Sequence, residues 1–258
     1  MTTAPCYDNF HIILVEPEKS LNVGAAARAM RNLGFRHLHL VAPRGYDRAA
    51  ANVTACWAEP LLDSLVIHET FADAIAPMEE VIGLSGRAGA NPALFQTLPE
   101  WAAELPARAG RRTALVFGPE DNGLRQEHLS ACQRIVRIPA AAENPSFNLA
   151  QSVLLVLWEI TKALPAGASA TTATDTPTGN DYAQLNRLVG AVMTESGFVR
   201  EGTPAPVPGV VRNLFRRLEC DRHEMGILLG LFGKVQTMLR RTNPSASPFD
   251  DPAAPVRK

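Results

Sequence analysis

Three short apolar runs in this chain, Phe10–Val15, Thr113–Phe117 and Arg134–Ile138, each stop at a loop that carries glycine or proline beside a polar side chain. Each run has the length and composition of a buried strand, and helical periodicity resumes beyond the loop. After the first run, Val23–Leu33 puts Ala26, Met30 and Leu33 on one face and stops at Gly34. Further strands are expected at Phe35–Val41, Ser64–His68 and Val81–Leu84. Helices are expected at Ala49–Ala58, Phe71–Ala76, Glu100–Ala107 and Arg125–Cys132. Strands alternating with helices specify an α/β fold built on a parallel sheet, with a ligand site in the loops at the strands' carboxyl ends.

The alternation ends near residue 163, so a first domain is expected over 1–163. Ala163–Asn180, rich in Thr, Ala and Pro, cannot bury enough apolar surface to order itself and reads as a flexible linker over 164–181. Tyr182–Ser196, Val210–Leu218 and His223–Arg241 then read as helices, with the proline-rich Thr203–Gly209 between the first two. No strand pattern appears there, so a small all-α appendage is expected over 182–242, followed by a disordered tail over 243–258.

Composition narrows the possibilities. A net charge of −1 gives no global basic field, so any nucleic-acid surface must be local. Cys6, Cys56, Cys132 and Cys220 are scattered without a Cys-x-x-Cys pair, which argues against a disulfide framework or a metal site. The first residues lack the charged and apolar regions of a signal peptide, and no apolar run reaches the ~20 residues of a membrane span. A soluble cytoplasmic protein without membrane or metal is expected. His37 and His39 alternate with apolar residues and read as surface or hydrogen-bonded core histidines rather than ligands.

The loops hold the chemistry. In Asn22–Arg28, Gly24 and three alanines allow close backbone approach, and Arg28 sits about one turn into the following helix. In Phe117–Leu124, Gly118 and Gly123 bracket Glu120; with two acidic residues and no Gly-x-Gly-x-x-Gly or Gly-Lys-Ser/Thr, this is no triphosphate cradle. In Ile138–Trp158 a proline-broken loop drops into an apolar helix. Ser146 and Asn148 lie at its start, where they either cap the helix or face a ligand beside unpaired N–H groups.

Asn-x-Gly-x-x-x-Arg, then Phe-Gly-x-Glu-x-x-Gly-Leu, then Ile-Pro…Ser-Phe-Asn-Leu-Ala-Gln, in that order, resemble the three motifs of the SpoU-type RNA 2′-O-methyltransferases, members of the knotted SPOUT superfamily. The appendage, with Ser196–Glu201, Val211–Leu218 and Gly226–Leu231, resembles the TrmJ-type branch, which methylates the ribose of nucleotide 32 in the tRNA anticodon loop. The resemblance implies a C-terminal deep trefoil knot, S-adenosylmethionine as cofactor, tRNA as partner and a homodimer formed through the knot, with Leu149–Trp158 a candidate contact. By motif position the cofactor would meet Leu84, Ser85, Gly86, Gly118, Ile138, Pro139, Ser146, Phe147 and Asn148. Ile138 and Leu149 offer an apolar wall for an adenine.

The catalytic positions implied are Arg28, Asn22, Glu120 and Asn148. A guanidinium keeps its proton, so Arg28 is expected to grip phosphate and stabilise a developing alkoxide rather than act as the base. Asn22 would shape that loop and orient Arg28. Glu120 would hold Arg28, order its loop or accept the proton; Asn148 would position the 2′-oxygen, cap the helix, or both. Seven basic residues (Arg212, Arg216, Arg217, Arg222, Lys234, Arg240 and Arg241) face three acidic ones between 212 and 241, which suits phosphate or an ordinary solvated face. Arg44, Arg48 and Arg87 could also meet RNA. Methylation of rRNA or of another tRNA position, and a non-catalytic RNA-binding role, are the alternatives.

Overall fold

The computed structural model describes residues 6–86, 95–141, 143, 146–164, 175–199, 209–211, 214–215 and 220–242. The linker stretch 165–174, the tail 243–258, most of the expected helix at 210–218, and Arg87, Arg212, Arg216 and Arg217 lie outside these residues. Backbone contacts divide the chain into two compact units, Met1–Gly179 and Asn180–Lys258.

The first unit runs β1 (Phe10–Val15), α1 (Ser20–Leu33), β2 (His37–Val41), α2 (Arg48–Ala55), α3 (Glu59–Asp63), β3 (Val66–His68), α4 (Phe71–Ile75), β4 (Glu80–Leu84), β5 (Phe95–Thr97), α5 (Leu98–Glu104), β6 (Thr113–Phe117), α6 (Gln126–Ser130), β7 (Arg134–Arg137) and α7 (Leu149–Ala163). Its sheet has the order β3-β2-β1-β6-β4-β7-β5, and every pairing is parallel. Strands alternate their side chains between two covered faces. Phe10, Ile12 and Leu14 of β1 join the core beneath α1, α2, α5 and α7, while Ile13 and Val15 join the core beneath α4 and α6. β7 inserts between β4 and β5, two strands earlier in the chain, with Gly83 opposite Ile135 and Phe95 opposite Ile135 on the other side.

Three differences from the sequence reading have local causes. α1 begins at Ser20, not Val23, because the backbone N–H groups ahead of it are bonded by Glu120, a partner about a hundred residues away. β5 is three residues long and is defined by pairing with β7 rather than by any pattern of its own. α3, opened by Pro60 near its start, fills what was expected to be a connection. Gly24 has a packing role: a Cβ there would lie 1.8 Å from the Ala51 carbonyl oxygen, so its absence lets α1 and α2 touch.

On the α4 side, the histidines of β1–β3 form a ladder. His11 Nδ1 and His39 Nε2 share a hydrogen bond at 2.9 Å, His39 Nδ1 and His68 Nε2 another at 3.0 Å, and His37 stacks on His11 at 4.5 Å. Burial first, then the neighbouring histidines, push His11 down to about 3 and His39 down to about 4, with Arg112 adding to the effect on His11.

The end of the expected linker is docked. Gly179 donates its N–H to the Met78 carbonyl at 2.7 Å, and a Cβ there would meet the Ile75 oxygen at 2.3 Å. The second unit, from Asn180, contains the rest of α8 (Gly179–Glu195) and α9 (Arg222–Thr242), with Tyr182, Leu185, Val189, Met193 and Met225 as its core. Among the described residues no helix is long and apolar enough to cross a membrane, and no cluster of three or more His, Cys, Asp or Glu is arranged to hold a metal.

Candidate active site

At the carboxyl ends of β4, β6 and β7 lies a pocket of about 360 Å³, within the range of roughly 300–1,000 Å³ typical of small-molecule sites. Leu84, Ser85 and Gly86 enter it from the end of β4, Gly118 from the end of β6, and Ile138, Ser146 and Phe147 from the segment after β7. Pro139 and Asn148, expected with them, do not line it. Phe117, Asp121, Asn122 and Ser152 do, without having been singled out as contacts. Asp121 and Asn122 lie inside the second motif's span and were legible there; Ser152, one turn into α7, carried no signal.

The loop after β6 is fixed by its glycines. A Cβ on Gly118 would come within 2.3 Å of Gly123 C and Leu124 N, so only glycine lets the loop fold back this tightly. Gly123, at φ 63°, takes the left-handed conformation and donates its N–H to the Pro119 carbonyl at 2.9 Å. That turn delivers Glu120 to the start of α1. Its carboxylate accepts from Asn22 Nδ2 at 2.7 Å and from the backbone N–H groups of Glu18 at 3.0 Å and Lys19 at 3.3 Å. Burial would raise the Glu120 pKa, but these bonds outweigh it and hold the carboxyl below its ordinary value.

Asn22 also accepts from Asn148 Nδ2 at 3.0 Å. Asn148 in turn caps α7: its Oδ1 accepts from Ala150 N at 2.9 Å, and Gln151 Oε1 reaches back to the Asn148 N–H at 3.3 Å. Glu120, Asn22 and Asn148, one from each motif, thus form one hydrogen-bonded chain at the pocket's edge.

Arg28 stands apart. It lies on the exposed face of α1, roughly two turns in rather than one, because α1 starts early. Among the described residues no hydrogen bond or ion pair engages it. Asn22 and Arg28, six positions apart, occupy different faces of the helix, so Asn22 orients Asn148 and Glu120 instead of Arg28. Glu120 likewise holds the loop rather than Arg28. Arg44 is taken up by Glu16 at 2.6 Å and Glu18 at 2.7 Å, Arg48 by Asp63 at 2.6 Å, and Arg125 by Glu16 and Glu127. Glu16, at φ 46°, turns the chain out of β1 in a conformation rare for a side-chain-bearing residue.

Three strand-end loops converging on one pocket in a parallel sheet, with β7 slotted between earlier strands, define a class of protein, and residues 9–158 match the SpoU rRNA Methylase family. The chain belongs to that family. Its relatives include the tRNA (cytidine/uridine-2′-O-)-methyltransferase TrmJ of Photorhabdus laumondii, 30% identical over an alignment of 247 residues that covers 91% of this chain and 99% of the relative. The crystal structure of TrmJ from Z. mobilis ZM4 superposes with a TM-score of 0.76 at 26% identity, covering 88% of this chain and 98% of that one. A structure reported for the 2-OH methylation of C/U34 on tRNA matches at 30% identity with a TM-score of 0.50, covering 60% of this chain and 95% of its own.

Proposed function

We propose that the protein transfers a methyl group from S-adenosylmethionine to a ribose 2′-hydroxyl in tRNA, with nucleotide 32 of the anticodon loop as the target. The observation that carries this reading is the joining of Asn22, Glu120 and Asn148, from three separate motifs, in one hydrogen-bonded chain whose Glu120 lines the pocket. The pocket suits the cofactor: Leu84, Phe117, Ile138 and Leu149 give it apolar surface, and among the described residues no basic side chain lines it. Bound there, S-adenosylmethionine supplies an electrophilic methyl group. The chain's residues do the rest. Asn148 presents its amide beside the helix start to position the 2′-oxygen, Glu120 keeps the first and second loops in register, and Arg28, which has no hydrogen bond or ion pair among the described residues, grips the RNA phosphate and stabilises developing negative charge.

The slotting of β7 between β4 and β5 supports a knotted path for the segment that follows, as in the SPOUT superfamily. Leu154 and Trp158 on α7, 44% and 53% exposed, and Leu21 on α1, 48% exposed, support a homodimer contact over these two helices. The α8–α9 unit supplies further tRNA contact, and action on tRNA places the protein in the cytoplasm.

Position 34 is the second reading, favoured by the match to the C/U34 structure. Position 32 is preferred because the TrmJ relative matches 91% of the chain, appendage included, against 60% for the other. Incubation with labelled S-adenosylmethionine and bulk tRNA, followed by mapping of 2′-O-methyl groups, tests both. Methyl at 32 is expected; methyl at 34 selects the second reading, and no transfer to tRNA removes both.

A further inference from the structure

We infer that the pocket selects its ligand by charge, Glu120 and Asp121 retaining the cationic sulfonium cofactor and releasing the neutral thioether product. The inference rests on the cofactor reading above and extends it to the turnover of that cofactor.

Among the described residues lining the pocket, Glu120 and Asp121 are the charged ones, and both are acidic. Neither is neutralised. The Glu120 carboxylate is held by neutral amide donors, the Asn22 side chain and the N–H groups of Glu18 and Lys19, which fix it as an anion without cancelling its charge. Asp121 accepts from Asn122 Nδ2 at 2.6 Å, again an amide. Among the described residues no lysine or arginine side chain bonds to either carboxylate. Arg44, the cation whose field reaches Asp121, is already committed to Glu16 and Glu18. Two negative charges therefore stand in a pocket whose other described walls are uncharged, apolar at Leu84, Phe117, Ile138 and Leu149 and polar at Ser85, Asn122, Ser146 and Ser152, so among the described lining residues no cation opposes their field on the ligand.

Methyl transfer changes the ligand's charge. The 2′-oxygen uses a lone pair to form the new C–O bond, the C–S bond breaks with its electron pair left on sulfur, and the hydroxyl proton passes to water. S-adenosylmethionine, net +1 with its sulfonium, ammonium and carboxylate, becomes S-adenosylhomocysteine, net 0. The pocket keeps its two negative charges throughout, so attraction present before the step is lost after it.

Calorimetric binding to the full-length protein without RNA tests this, using S-adenosylmethionine and S-adenosylhomocysteine as the two probes. In the wild type the charged cofactor is expected to bind more tightly relative to product than in Glu120→Gln or Asp121→Asn. Each substitution should shift the ratio of the two Kd values by roughly five-fold or more toward product. Asp121 is exposed and outside the Glu120 network, so its variant serves even if Glu120→Gln fails to fold. An unchanged ratio, including the case in which both ligands weaken together, overturns charge selection while leaving the cofactor reading intact. Failure of the wild type to bind either probe removes the cofactor reading, and this inference with it.

Discussion

Arg28 is exposed, with no carboxylate paired to it among the described residues, and a guanidinium cannot give up its proton to become a base. In the proposed reaction its use is electrostatic. Arg28→Ala is expected to lower kcat by about 100-fold or more, the usual cost of removing a donor aimed at developing charge, while the Kd for S-adenosylmethionine stays within two-fold of wild type, roughly the scatter expected where no contact is lost. Arg28→Lys keeps the charge but loses the planar fork, and near-wild-type turnover in that variant would count against a bidentate grip on phosphate. Gly118 is constrained differently. A methyl group there has backbone atoms at 2.3 Å on the far side of its own loop, so Gly118→Ala must open the turn. A loss of about 2 kcal/mol or more in chemical denaturation is expected, together with weaker cofactor binding by calorimetry.

At the scale of elements, the N-terminus of α7 and the histidine ladder each give a separable expectation. Asn148 both caps α7 and holds Asn22. Asn148→Ala should cost about 1 kcal/mol of stability for the cap and reduce turnover by more than that loss of folded protein explains. Asn148→Ser, whose hydroxyl can cap but is too short to span both partners, separates the two effects: stability returns and turnover does not. The ladder sets a pH dependence. His11 and His39 have folded pKa values of about 3 and about 4 against an unfolded value near 6.5, so between these limits the unfolded chain binds more protons than the folded one. Stability is full above pH ~6.5 and falls as pH drops toward 4. The Tm should decline over that window, and His39→Asn, whose amide does not titrate, should flatten the decline. A wild-type Tm constant across the window would show that the ladder tolerates charge.

The same scale shows what the sequence could and could not reveal. β1 and β6 were legible because each is a continuous apolar run buried on both faces, and α7 because its periodicity persists over four turns. The three loops were legible as a set because their glycines and amides lie at fixed offsets. The start of α1, the strand β5 and the bond between Asn22 and Asn148 were not, because each depends on a partner far along the chain. The histidine ladder was visible only as alternation in β2; that His11 and His68 would complete it follows from strand register, which no local pattern encodes.

For the whole molecule, two units with separate cores imply separable roles. A chain ending at Gly179 keeps the full sheet and the pocket, and should melt cooperatively and bind S-adenosylmethionine like the full-length protein. Its kcat/KM for tRNA should fall by about ten-fold or more, since lost phosphate contacts act on RNA affinity. Undiminished methylation by this chain would show that the α8–α9 unit contributes no RNA contact.

The sheet order also bears on how the protein is made. When a ribosome has released Thr97, β4 and β5 are both outside the exit tunnel, yet neither can lie beside the other, because the place between them belongs to β7. Arg137 follows forty residues later, a delay of roughly 2–8 s at ~5–20 residues per second. Until then two strands keep edges with unpaired N–H and C=O groups, the kind of surface that recruits a neighbouring chain. A nascent chain stalled anywhere between β5 and β7 therefore carries two more open strand edges than the finished sheet, whose outer strands are β3 and β5, and the last strand to arrive is the one that closes that gap.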